Sequence, residues 1–301
     1  MKKKIWIIAA SICIVVGCIA AGAVAASVGF DFTAFSTSQN EKKTYTVEAS
    51  FASIDIRTTE CNIVLLPSQK DTCEIVCTES DKITHTVSVE DDTLKIVRQD
   101  MRKWYERIGV FYSLSDFEIK IYLPRSEYTT LRAKSVSGDI VVPDAFTFQE
   151  ADLSTTSGSI SFKANTKTAL TGKSVSGDID VKNIAGGTAD LITTSGEIDL
   201  TDSLADAINL QTTSGDISLE NTAAEKKFFI KSTSGEVSLE SCDGGEITIK
   251  TTSGDVKGSL RSEKQFVTHT TSGDVRVQDS ANAAEICTVN TTSGDIRISI
   301  K

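Results

Sequence analysis

Asp139, Asp178, Glu197, Asp216, Glu236, Asp255, Asp274 and Asp295 each stand directly after a Ser-Gly pair, and Ser159 holds the one remaining position of this kind. Brought into one column, eight such carboxylates at steps of about 5 Å would attract a hard cation such as Ca²⁺. Two observations weigh against that chemistry. The paired-glycine nonapeptide of calcium-binding solenoids is absent, and Asp beside a turn glycine ordinarily bonds to turn amides and faces water. No metal and no cofactor is therefore expected. A second column, Thr155, Thr193, Thr212, Thr251, Thr270 and Thr291 with Ser135, Ser174 and Ser232, offers the regular hydroxyl array of an ice-binding face. These residues share parity with the inward aliphatics, which favours hydrogen bonding inside the corners instead.

Catalysis has little raw material. The chain holds 2 His, His85 and His269, isolated in strand-like runs, so histidine general bases and multi-histidine metal centres have almost no source. Some parallel β-helices cleave acidic glycans with clustered Asp, Arg and Lys. Their sites interrupt the repeat with long loops, whereas here the repeat length varies by only two residues. No catalytic residue is assigned, and a polysaccharide-processing enzyme stands as the alternative reading.

The elements that would position these columns follow from the repeat. Its glycines are Gly138, Gly158, Gly177, Gly196, Gly215, Gly235, Gly254, Gly273 and Gly294, at spacings of 19 to 21. Ser precedes each, and a β-branched aliphatic stands two residues after each, from Ile140 to Ile296. Around Gly215, Ile208, Leu210, Ile217 and Leu219 alternate with period two on both sides, the pattern of half-buried strands. Each repeat therefore reads as two short strands about a Thr-Ser-Gly corner. Glycine there serves either positive φ or close backbone approach. Ile184, Leu204 or Cys242 is the expected plug of a third corner. Such a unit cannot bury its apolar side chains alone and must stack. The expected fold is all-β, a parallel β-solenoid (single-stranded β-helix) of about nine coils, roughly 40 Å long. An antiparallel meander would match the spacing, but chemically identical residues at identical repeat positions favour parallel ladders.

Residues 45–125 carry the same style in degenerate form. Ser53 to Leu65 reads as one coil with Cys61 in the glycine's place, and strand-like runs follow at Thr84 to Glu90, Thr93 to Arg98 and Phe117 to Leu123. This stretch is expected to cap the leading end. The trailing edge, at the last coil before Lys301, has no sequence left to cover it, which opens a route to self-association through the C-terminal coil. Four of five tyrosines fall between Tyr105 and Tyr128. Trp104, Tyr105, Phe111 and Tyr112 are the best candidates for a partner contact, with a hairpin or short helix covering the cap's core as the structural alternative.

At the N-terminus Lys2, Lys3 and Lys4 precede 26 uncharged residues, Ile5 to Phe30, and a spanning helix needs about 20. An uncleaved signal anchor is favoured over a lipoprotein signal with Cys18 as the lipidated residue, because apolar sequence continues past that cysteine. Cleavage near Ala23 and Ala25 is the third reading. All three export the remainder. The formal charge of −10 falls to −13 without those three lysines (28 basic against 41 acidic residues), a surface that repels nucleic acid and anionic headgroups. Outside the anchor lie Cys61, Cys73, Cys77, Cys242 and Cys287, too few for a disulfide scaffold and best read as small core residues. The expected organisation is an anchor over 1–30, a linker over 31–44, a β-rich cap over 45–125 and the solenoid over 126–301.

The Ser-Gly-Asp-Ile repeats behind an N-terminal anchor, with Leu123-Pro124, resemble a bacterial family of unknown function described as adhesins with β-strand repeats, which includes LiaG-like cell-envelope proteins. The resemblance covers roughly Thr46 to Ile300. It implies a non-enzymatic, single-pass membrane protein whose β-solenoid faces outward for adhesion or for contact with an envelope protein or wall polymer, with envelope stress as one setting. It brings no catalytic residue.

Overall fold

The computed structural model describes residues 41–102, 117–278, 280 and 283–301, together with Gly17. The expected anchor and most of the linker lie outside the described residues, as do Trp104, Tyr105, Phe111 and Tyr112. Among the described residues from 41 onward every regular element is a strand.

The leading region contributes β1 (Glu41–Val47), β2 (Ser53–Arg57), β3 (Asn62–Pro67), β4 (Cys73–Glu79), β5 (Ile83–Glu90), β6 (Thr93–Asp100) and β7 (Glu118–Leu123). The repeats follow as β8 (Glu127–Lys134), β9 (Ile140–Val142), β10 (Thr147–Ser154), β11 (Ile160–Phe162), β12 (Asn165–Lys173), β13 (Ile179–Lys182), β14 (Thr188–Ile192), β15 (Ile198–Thr201), β16 (Leu204–Gln211), β17 (Ile217–Glu220) and β18 (Ala223–Lys231). The last are β19 (Val237–Lys250), β20 (Val256–Leu260), β21 (Gln265–His269), β22 (Val275–Val277), β23 (Ile286–Asn290) and β24 (Ile296–Ile300).

The strands form two facing sheets. The strand after each Ser-Gly corner enters one sheet, here A, and the strand before it enters the other, B. The repeats pair parallel and in register: Ile160 with Ile179, Ile198 with Ile217, and Leu191 with Leu210. The chain is thus an all-β parallel solenoid, and the antiparallel meander is excluded. Sheet A runs β1, β4, β7, β3, β9 and onward to β20, β24 and β22. Its thirteen strands give a stack about 60 Å long at ~4.8 Å each. The aliphatics that follow the corners, including Ile140, Ile179, Ile217 and Val256, line a continuous buried column with Phe148, Phe162 and Phe228.

At both ends the order of coils in space departs from their order in sequence. The β2–β3 coil lies between β8–β9 and β6–β7, with Ile54 opposite both Leu131 and Leu94. At the other end β24 lies between β20 and β22, and β23 between β19 and β21. The expectation that the final coil is the uncovered one is corrected: the coil that ends the rod is that of Gly273. Val275 accordingly is 42% exposed, although its equivalents are buried. The leading end closes differently, with β1 antiparallel on β4 and β5 antiparallel on β6.

The third corner is also corrected in part. Ile184 and Cys242 are buried plugs, but Leu204 is 51% exposed. Ser203 takes the inward place instead. Its hydroxyl donates to the Thr201 carbonyl (2.9 Å), so the buried polar group has a partner.

Candidate functional site

At the corners of Ser135, Thr155, Ser174, Thr193 and Thr212 one hydroxyl performs two tasks. Thr212 Oγ1 accepts the Gly215 N–H (3.1 Å) and donates to the Gly196 carbonyl of the preceding coil (3.2 Å). Ser174 does the same for Gly177 and Gly158, and Thr193 for Gly196 and Gly177. The hydroxyl column is therefore buried joinery, with Thr212 only 5% exposed. Thr212→Val should cost about 1–3 kcal/mol, since it leaves a buried donor and a buried acceptor unpaired. Thr212→Ser should be close to neutral. Urea melts of the two variants check this, and equal midpoints would refute the double role.

The acidic column has a parallel explanation. Asp139 Oδ1 accepts the Ser159 N–H of the next coil (2.8 Å), Asp178 accepts from Glu197 (2.9 Å), and Asp216 accepts from Glu236 (2.8 Å). Asp255 and Asp295 continue the chain of bonds in the spatial order of the coils. Each of these Asp side chains thus uses one oxygen as a link between coils, and the second oxygen of Asp295 pairs with Arg297. Beside the column, in β15, burial and then the neighbouring Asp180 raise the Asp199 carboxyl above its usual range. Among the described residues no group of three or more His, Cys, Asp or Glu side chains is arranged to hold a metal ion.

Two charged clusters, unforeseen from sequence, sit where the coil order is rearranged. Near the leading end, Arg98 and Arg102 converge on Glu60 (3.1 and 2.8 Å), and Arg102 also pairs with Asp100. Near the trailing end, Lys264 is fully buried. Its ammonium donates to Asp243 Oδ1 (2.7 Å), Ser262 Oγ (2.7 Å) and Glu285. Burial alone would raise the Asp243 carboxyl, but the bonds from Lys264, Ser262 and the Gly244 N–H hold it low. The only sequence cue was a loop, 261–264, with charges where other coils carry a small plug.

His85 is buried at the leading end. Its backbone N–H and Nδ1 meet Glu79 Oε1 (2.8 and 3.2 Å), while Nε2 has no partner among the described residues. Tyr45 also donates to Glu79 (2.7 Å), and Lys43 lies 3.5 Å away. Burial lowers the His85 pKa, outweighing the pull of Glu79, while Arg98 and Lys43 push in the same direction as burial. The unfolded chain therefore binds more protons below the ordinary histidine value of about 6.5. Stability should fall as pH drops from 7.5 to 5.5, and His85→Gln should flatten that slope. A denaturant midpoint constant over the interval would refute the assignment. His269, by contrast, is exposed in β21.

All five described cysteines are buried and unpaired. Burial pushes the thiols of Cys73, Cys77 and Cys287 up to about 12 and that of Cys242 to about 11, so they stay protonated core residues rather than nucleophiles.

With two in-register sheets joined by Ser-Gly corners established, similarity to known proteins can be set against the geometry. The Toastrack DUF4097 family matches residues 51–299. The chain belongs to this family. No curated protein matches it. Among solved structures, a Parabacteroides distasonis protein described as a candidate lipid-binding protein is 17% identical, with a TM-score of 0.52 over 87% of this chain and 97% of that one. A candidate adhesin from Bacteroides fragilis is 16% identical, with a TM-score of 0.42 over the same shares. A second P. distasonis protein, also described as a candidate adhesin, is 14% identical, with a TM-score of 0.43 over 86% and 97%. The first likeness extends the Toastrack fold to a distant sequence and carries no function with it.

Proposed function

We propose that this Toastrack chain is a non-enzymatic cell-envelope protein, held to the membrane by its N-terminal apolar segment, that presents the rod outside the cell for binding. The observation that carries this reading is the internal use of its reactive-looking columns. The corner hydroxyls and one oxygen of most corner Asp side chains are engaged in joining coils, which leaves the outward strand residues as what the rod offers a partner. The glycan-cleaving alternative needs carboxylates free to move protons at a scissile bond, and the repeated Asp side chains are committed to backbone amides instead. The adhesin descriptions of proteins with similar strand repeats agree with an exposed binding role.

The test uses the full chain expressed with a C-terminal tag. Protease added to intact cells should remove the tag, and detergent-solubilised membranes and wall sacculi should capture the protein differently. Complete protection of the tag in intact cells, alongside digestion after lysis, would overturn the outward orientation. Capture on wall or foreign cells supports adhesion, whereas capture of one membrane protein supports a role in envelope sensing, with Trp104 to Tyr112 the first segment to alter.

A further inference from the structure

The outer face of sheet B carries a feature that the repeat does not require. In β18 the alternation is broken by Phe229, which points outward and is half-buried between Lys227 and Lys250. The ammonium groups of these lysines lie 5.8 and 5.9 Å from the ring centroid. Lys231 stands directly opposite Lys250 on the adjacent strand, so two like charges sit one coil apart. Such a pair is unfavourable by itself.

Elsewhere lysines are mostly neutralised: Lys43, Lys70, Lys95, Lys120, Lys134, Lys163, Lys167, Lys226, Lys257, Lys264 and Lys301 each have a carboxylate within 4.0 Å. Lys227, Lys231 and Lys250 have no such partner among the described residues, and all three are exposed. Around them the neighbouring strands add Asn209, Gln211 and Thr248 in register with Phe229 and Lys231. Glu246, opposite Lys227, and Asp190, whose carboxylate accepts the Asn209 amide N–H, are the acids in these rows. On the opposite side of the same coils, sheet A and its corners present Asp216, Glu220, Glu236 and Glu240. A chain of net charge −10 thus concentrates uncompensated positive charge beside an aromatic ring and amide and hydroxyl groups.

We propose that this face binds a phosphate-bearing polyol or sugar polymer. Lys227, Lys231 and Lys250 would meet phosphates along the polymer, the ring of Phe229 the carbon face of the polyol or sugar, and Gln211 and Thr248 its hydroxyls. The proposal rests on the reading of the rod as a display surface and names the chemistry of its partner.

The test is retention of the full chain on immobilised poly(glycerol phosphate), with uncharged dextran and phosphatidylglycerol vesicles as separate arms. Retention on the phosphate polymer should weaken with salt, with a log–log slope of about −2 for three lysine contacts. Lys227→Gln, Lys231→Gln and Lys250→Gln together should weaken it about 100-fold, at roughly fivefold per lysine. Lys163→Gln, Lys182→Gln and Lys257→Gln make the same change in charge on the sheet A side and should leave retention within about twofold of wild type. Phe229→Ser should weaken binding with no change in the salt slope. Absence of retention, equal loss from both triple variants, or retention on vesicles alone would overturn the proposal. None of these results touches the outward orientation, which the protease test decides separately.

Discussion

Gly215→Ala is expected to destabilise the rod by about 4 kcal/mol or more, lowering its melting temperature by about 10 °C. A Cβ built on Gly215 would lie 1.8 Å from the Gly196 carbonyl oxygen, 2.4 Å from its carbon and 2.9 Å from the Glu197 nitrogen. All three are backbone atoms of the neighbouring coil, so no side chain can rotate away. Relief requires separating the coils, which breaks the in-register pairing of Ile198 with Ile217 and its neighbours. The corner glycines have no positive φ; that conformation is confined to Gly186, Gly187 and Gly258 among the described glycines. Alanine should therefore be almost as harmful as valine. Asp216→Ser, one residue away, removes a carboxylate whose place Ser159 fills elsewhere by accepting the Asp178 N–H (3.3 Å), and should cost about 1 kcal/mol or less. Melting both variants by circular dichroism checks the contrast, and equal small losses would remove the stacking explanation.

Lys264→Met is expected to cost about 3 kcal/mol and to act locally. The ammonium ties Asp243 at the third corner of β19 to Ser262 on the outgoing crossover and Glu285 on the returning one. Removing it leaves two carboxylates facing each other beside a buried hydrophobic site. The inserted coil of β23 and β24 should lose amide hydrogen-exchange protection first, while β14 and β16 keep theirs. Adding Asp243→Asn and Glu285→Gln should recover much of the loss, because a neutral set leaves no uncompensated charge. Unchanged protection of β23 and β24 in Lys264→Met would show that the cluster does not hold the insertion.

Much of this architecture was legible because the repeat states it nine times. A Ser-Gly pair, a hydroxyl three residues before the glycine and an aliphatic two after it specify a corner, a capping bond and an inward side chain. Each is a local demand, satisfied within one coil or by an identical coil beside it. The substitution of Cys61 for glycine makes sense by the same logic. The would-be Cβ atoms point toward the preceding coil, as Gly138 does toward the Cys61 carbonyl. Cys61 precedes Asn62, which pairs with Glu118 of β7 rather than with a residue of a Ser-Gly corner.

The candidate surface was less legible. Trp104, Tyr105, Phe111 and Tyr112 stood out by composition, whereas Lys227, Phe229, Lys231 and Lys250 passed as ordinary outward residues of two separate repeats. Their meaning lies in adjacency across strands 19 residues apart and in the carboxylates that most other lysines find and these do not, which a linear reading does not count.

Sequence alone determined the all-β class, the stacked coil, the period and the corner chemistry, because period-two burial and glycine contacts act over a few residues and repeat identically. Only the tertiary structure decided which coil neighbours which at the ends. Every coil presents nearly the same edge to any other, so local preferences hardly distinguish a last coil added outside from one slipped between its predecessors. At those rearranged ends sit long-range groups present once each, the buried Lys264 with Asp243 and Glu285 at one end and Glu60 with Arg98 and Arg102 at the other.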